Sequence, residues 1–98
     1  MKTTLKDNTL TLYLEGRIDS NNAAQAEQEA MAAVAGAPGA ELVLDAEKLE
    51  YISSAGLRVL LSAQKVMNKQ GQMIVRNVNE TISEIFEVTG FADVLTIE

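Results

Sequence analysis

Apolar residues in this chain keep two different periods, and the points where one gives way to the other constrain the fold most. Leu10, Leu12 and Leu14 alternate with Thr9, Thr11, Tyr13 and Glu15, a period of two that turns one face of a strand into a core. From Ala23 the spacing becomes helical, with Ala23, Ala26, Ala30, Ala33 and Val34 on one stripe. Leu42-Val43-Leu44 then forms a continuous apolar run, the pattern of a central strand covered on both faces. Gly56, Val59, Leu60, Ala63, Val66 and Met67 return to helical spacing. Strands joined through helices favour parallel pairing, so the switching alone points to an α/β fold.

Turn and cap residues divide the chain further. Thr3 to Lys6 is expected to pair with the leucine strand through Asp7-Asn8, two residues that tolerate the left-handed conformation. Gly16 breaks that strand. Asp19, Ser20 and Asn21 are all good helix caps, and a helix is expected from there to about Ala35, ended by Gly36, Pro38 and Gly39. The central strand is expected over Glu41 to Asp45, with a loop from Ala46 to Ile52. The second helix follows Ser53 and Ser54 and is expected to stop at Gly71 as its C′ residue. Met73 to Arg76 with Val78 reads as another strand. A third helix is expected over Glu80 to Thr89, with Ile82, Ile85 and Phe86 inward and a Schellman stop at Gly90-Phe91. Val94 to Ile97 reads as a last, short edge strand. The order is ββαβαβαβ, a mixed β-sheet of about five strands with helices packed on it. At 98 residues the chain reads as one domain, residues 1–98.

Composition excludes several kinds of function. The 14 acidic residues outnumber the 8 basic ones, for a formal charge of −6, which argues against nucleic acid and against an anionic membrane surface. There is no cysteine and no histidine. Thiolate metal sites, histidine-bound zinc and serine–histidine hydrolase triads are therefore excluded, and no metal or cofactor is expected. Met1 to Asp7 holds no apolar run of the signal-peptide kind, and no stretch approaches the ~18 apolar residues of a membrane span. A cytoplasmic location is the expectation.

The chemistry is concentrated in Leu42 to Leu61, where a buried strand ends and two adjacent hydroxyls, Ser53 and Ser54, open a helix. A helix N-terminus exposes unpaired N–H groups and a partial positive charge, so a phosphate is tolerated there. Serine is equally a favoured cap. From the spacing alone, the pair is a cap, a functional hydroxyl, or both.

The run Tyr51-Ile52-Ser53-Ser54-Ala55-Gly56-Leu57-Arg58-Val59-Leu60-Leu61 resembles the central signature of the STAS family, which covers sulfate-transporter domains and bacterial anti-sigma factor antagonists. Gly16-Arg17-Ile18-Asp19 resembles that family's motif after its second strand, and Val43-Leu44-Asp45 its strand leading into the signature. The resemblance spans essentially the whole chain. It implies a non-enzymatic anti-sigma factor antagonist, a switch that binds an anti-sigma serine kinase when unphosphorylated and is released by phosphorylation. A PP2C-type phosphatase would be the opposing partner. Aligning Gly56-Leu57 with the family's Gly-Leu puts the phosphoacceptor at Ser54. The family's aspartate falls on Ser53, which makes Ser53 the alternative acceptor. Asp19, Ser53, Ala55, Leu57 and Arg58 are implied as partner-binding residues; Asp19 could equally cap the first helix, and Leu57 could equally be core. Asp45 is expected near the carboxyl end of its strand. The kinase would supply ATP, magnesium and the general base. A second reading keeps the fold without the switch, as a constitutive partner subunit of a lipid-transport ATPase complex.

Overall fold

The computed structural model describes residues Met1–Glu98. Strand β1 (Lys2–Lys6) and strand β2 (Thr9–Ile18) form a hairpin, followed by helix α1 (Ala23–Ala35), strand β3 (Glu41–Ile52), helix α2 (Ser54–Met67), strand β4 (Met73–Arg76) and helix α3 (Glu80–Thr89). The sheet order is β1-β2-β3-β4. β1 runs antiparallel to β2, and β3 runs parallel to both of its neighbours, β2 and β4. Asp7 and Asn8 make the hairpin turn with φ of 52° and 63°, the left-handed pair that matches strand twist. No helix is long and apolar enough to cross a membrane.

The period-two leucines of β2 face one core with Leu42, Leu44 and Ala46 of β3 and Met73 and Val75 of β4. Buried side chains of all three helices join the same cluster, among them Ala26 and Ala30 of α1, Leu60 and Met67 of α2, and Ile82 and Phe86 of α3. The alanine stripe lets α1 lie close against the sheet. Val43 is buried but stands outside this cluster. It lies in a row across the sheet with Thr4, Thr11 and Ile74, so the continuous apolar run reflects a row of strand neighbours on its second face and not a second helical layer.

Four boundaries differ from the sequence reading. β2 passes through Gly16, which takes φ 66°, and continues to Ile18. β3 continues through the expected loop to Ile52. The two strands stay paired because the register shifts twice: Tyr13 faces Asp45, Glu15 faces Lys48, and Arg17 faces Tyr51. Four residue steps of β2 therefore oppose six of β3, the count produced by two single-residue bulges. Buried residues in this part of β3 are Ala46, Leu49 and Ile52, spaced by three, a period that belongs to neither a regular strand nor a helix. α2 ends at Met67 with Asn68 as its C-cap, and Gly71 is not among the glycines with positive φ. Its N–H instead donates to the Met67 carbonyl at 2.8 Å. The expected fifth strand is reduced to one parallel bridge, Ile97 beside Val75, because the turn Phe91–Asp93 occupies the chain first. The sheet has four strands.

Candidate functional site

The bulged pairing of β2 with β3 brings two distant sequence motifs side by side. Arg17 lies opposite Tyr51 and Ile18 opposite Ile52, and the Ser53 N–H donates to the Ile18 carbonyl at 2.9 Å. The start of α2 is thus fastened to the end of β2. The fastening depends on Gly56: a Cβ there would lie 2.6 Å from the Ile18 carbonyl oxygen and 2.6 Å from Ile52 Cγ1, so only glycine lets the first turn of α2 come this near.

The two serines have separate positions. Ser53 is the N-cap, with extended backbone (φ −93°, ψ 179°), and its hydroxyl accepts from the Gly56 N–H at 3.4 Å. Its carbonyl accepts the first helical bond, from Leu57 N–H at 2.8 Å. Ser54 is the first residue of the helix and is exposed. The cap is therefore provided by Ser53, and the Ser54 hydroxyl faces solvent beside the unpaired N–H groups of the first turn.

Asp19 does not cap α1; Asn22 holds that position, without a side-chain cap bond. Asp19 and Asn22 instead close the preceding turn reciprocally. Asp19 Oδ1 accepts from Asn21 N–H at 3.0 Å, Asp19 N–H donates to Asn22 Oδ1 at 2.9 Å, and Asn22 Nδ2 donates to the Arg17 carbonyl at 2.7 Å. Arg17 pairs with Asp19 at 3.5 Å and stacks its guanidinium 4.6 Å from the centre of the Tyr51 ring. An exposed pair and stack of this kind contribute about 1 kcal/mol together, enough to orient Arg17 without fixing it. Arg17 and Tyr51 stand in separate sequence motifs, and only the bulged register makes them neighbours.

Ala55 is half-buried, and with Arg58, Ala23, Ala24, Glu27 and Val59 it lines a shallow groove between α1 and α2. Arg58 is exposed. Leu57 requires a correction. At 3% exposure it belongs to the core, because its position in the first turn of α2 points toward the sheet, and it cannot present a surface to a partner.

Asp45 lies within β3, seven residues before Ile52, roughly 20 Å along the strand from the start of α2. The structure does not bring it to the serines. Its side chain is 7% exposed and accepts from Glu47 N–H at 3.0 Å, Asn77 Nδ2 at 3.2 Å and Arg76 Nε at 3.3 Å. Burial by itself would raise its pKa; these hydrogen bonds and the Arg76 charge outweigh burial and hold the carboxyl below its ordinary 3.8. Asp45 is an internal anchor between β3 and β4. No group of three or more metal-ligating side chains gathers anywhere in the chain.

Comparison with known proteins places this geometry among similar ones. A family model described as "Mlab, STAS domain" matches residues 1–96. The chain is 38% identical over 92 residues to a Bordetella bronchiseptica protein named as an anti-sigma factor antagonist, BtrV, covering 93% of this chain and 78% of the relative. The crystal structure of an anti-sigma factor antagonist from Mycobacterium paratuberculosis superposes with a TM-score of 0.87 at 24% identity, covering 98% of this chain and 81% of that one. The Bacillus cell fate determinant SpoIIAA in its phosphorylated form superposes with a TM-score of 0.71 at 19% identity, covering 99% and 89%. The two structural likenesses establish the fold.

Proposed function

This chain belongs to the STAS domain family, and on that premise we propose that it is an anti-sigma factor antagonist that works as a phosphorylation-controlled binding switch. Unphosphorylated, it binds an anti-sigma serine kinase and so frees the sigma factor. The kinase then modifies Ser54, and the modified protein is released.

The observation that carries this reading is the division of labour between the serines. Ser53 caps α2, which leaves Ser54 exposed at the helix start with no structural bond to give up. A phosphate there meets the N–H groups and positive end of α2, so the fold accommodates it while the partner surface gains about −2 charges. Ser53, engaged by Gly56 N–H, is the poorer acceptor. The similarity to BtrV supports the anti-sigma side of the reading, and the phosphorylated form of SpoIIAA supports the modification.

The chemistry falls to the partner. The Ser54 Oγ attacks the γ-phosphorus of ATP, the bond to ADP breaks, and the hydroxyl proton passes to a base of the kinase, since this chain has no histidine. A PP2C-type phosphatase resets the switch by hydrolysing the phosphoserine. ATP as phosphoryl donor fits a cytoplasmic protein. Incubation with the cognate kinase and ATP, followed by peptide mass spectrometry, tests the assignment. One phosphate on Ser54, lost in Ser54→Ala and kept in Ser53→Ala, is expected. Modification elsewhere, or none, would refute it, and partner binding indifferent to both Ser54→Ala and Ser54→Asp would favour the constitutive-subunit reading.

A further inference from the structure

Phosphorylation of Ser54 would place a dianion one helical turn from Arg58, and Arg58 is the uncommitted cation of this surface. Ser54 and Arg58 are four residues apart on α2, and both are exposed. At this spacing helix-surface Cβ atoms lie about 5–6 Å apart, and side chains lean toward the helix N-terminus, which puts a phosphate on Ser54 within reach of the Arg58 guanidinium. None of the ion pairs of the fold involves Arg58. The neighbouring charges are already engaged. Arg17 is held by Asp19 and by the Tyr51 ring. Glu27, which shares the α1–α2 groove with Arg58, accepts from the Ser62 hydroxyl at 2.7 Å.

We propose that Arg58 is the internal counter-ion of phosphorylated Ser54. The inference rests on the phosphoacceptor reading above and adds to it the residue that receives the phosphate. The switch then alters the partner surface twice: it adds a dianion, and it folds a free arginine back onto the helix. An arginine suits this role because its planar fork can meet two phosphate oxygens at once.

The test uses the full chain with phosphoserine installed at position 54 during translation, so that it does not depend on any kinase. Phosphorus NMR over a pH titration reads the second phosphate pKa, which a nearby cation lowers. Relative to the otherwise unaltered protein, Arg58→Ala should raise that pKa by roughly 0.15–0.4 units, the scale of a pair at this helical spacing. Arg58→Lys should keep part of the effect, and Arg17→Ala should move the pKa less than Arg58→Ala. Circular dichroism would establish that each variant is folded, which is expected of exposed positions. A change below about 0.1 unit in Arg58→Ala, or a larger change in Arg17→Ala, would overturn the assignment of Arg58. Failure of the kinase to modify Ser54 would overturn the phosphoacceptor reading while leaving this measurement intact.

Discussion

Replacing Gly56 by alanine tests how the start of α2 is held. The added methyl would sit 2.6 Å from the Ile18 carbonyl oxygen, 2.6 Å from Ile52 Cγ1 and 3.0 Å from Ile18 Cγ2. Ordinary contact lies near ~3.5 Å, so the first turn must retreat from the sheet by about 1 Å. Two of the obstructing atoms belong to buried side chains and one to backbone, so none can swing aside. Overpacking of this kind costs about 1–3 kcal/mol. Retreat also weakens the 2.9 Å bond from Ser53 N–H to the Ile18 carbonyl, worth about 1 kcal/mol. Alanine returns about 1 kcal/mol through helix propensity. The net loss is about 1–3 kcal/mol, read as a lower urea midpoint with unchanged slope, or a Tm lower by about 4–8 °C per kcal/mol. Gly36→Ala is the matched control. Its Cβ would meet Ala32 and Ala33 carbonyl oxygens at 3.5 and 3.6 Å, ordinary contact, and its φ is −79°. That variant should be neutral or stabilised by about 0.4–1 kcal/mol. Equal stability of Gly56→Ala and the native protein would refute the close-approach argument.

Other outcomes follow from the same geometry. Ser53→Ala should lose about 0.5–1 kcal/mol, the low end for a cap because its bond is 3.4 Å long, while Ser53→Asp should restore that loss in chemical denaturation. Ser54→Ala should leave stability within about 0.5 kcal/mol, since the hydroxyl is exposed. Asp45 has a folded pKa below its ordinary 3.8, so its contribution is fully present above about pH 4 and is lost as pH falls through the folded value. Asp45→Asn should cost about 1–3 kcal/mol at neutral pH and flatten the stability loss below about pH 4 in acid titrations followed by circular dichroism.

Much of this fold was legible because local signals agreed with one another. The leucine alternation of β2, the Asp7-Asn8 turn, the alanine stripe of α1 and the Gly90 stop of α3 each have one physical solution, and the structure adopts it. The stretch from Ala46 to Ile52 was not legible as strand, because its two bulges space the buried residues by three. The fifth strand failed for a different reason: Val94 to Ile97 carries apolar residues suited to an edge, yet the turn before them leaves room for a single bridge. In the candidate site, the caps were readable but their division was not. Two adjacent serines are equivalent by type, and only the Gly56 N–H shows which one is bound. Leu57 was ambiguous until the helix phase put it toward the sheet. The Arg17–Tyr51 stack depends on a register that no local pattern encodes.

The measurement that bears most directly on the proposed switch is the affinity of the anti-sigma kinase for this protein before and after Ser54 carries a phosphate. Titration calorimetry without nucleotide hydrolysis, on unmodified protein and on protein with phosphoserine installed at position 54, would supply both values. A phosphate forced into the partner surface should cost about 2–4 kcal/mol, a loss of roughly 30- to 1,000-fold. Equal affinity of the two forms would contradict the switch.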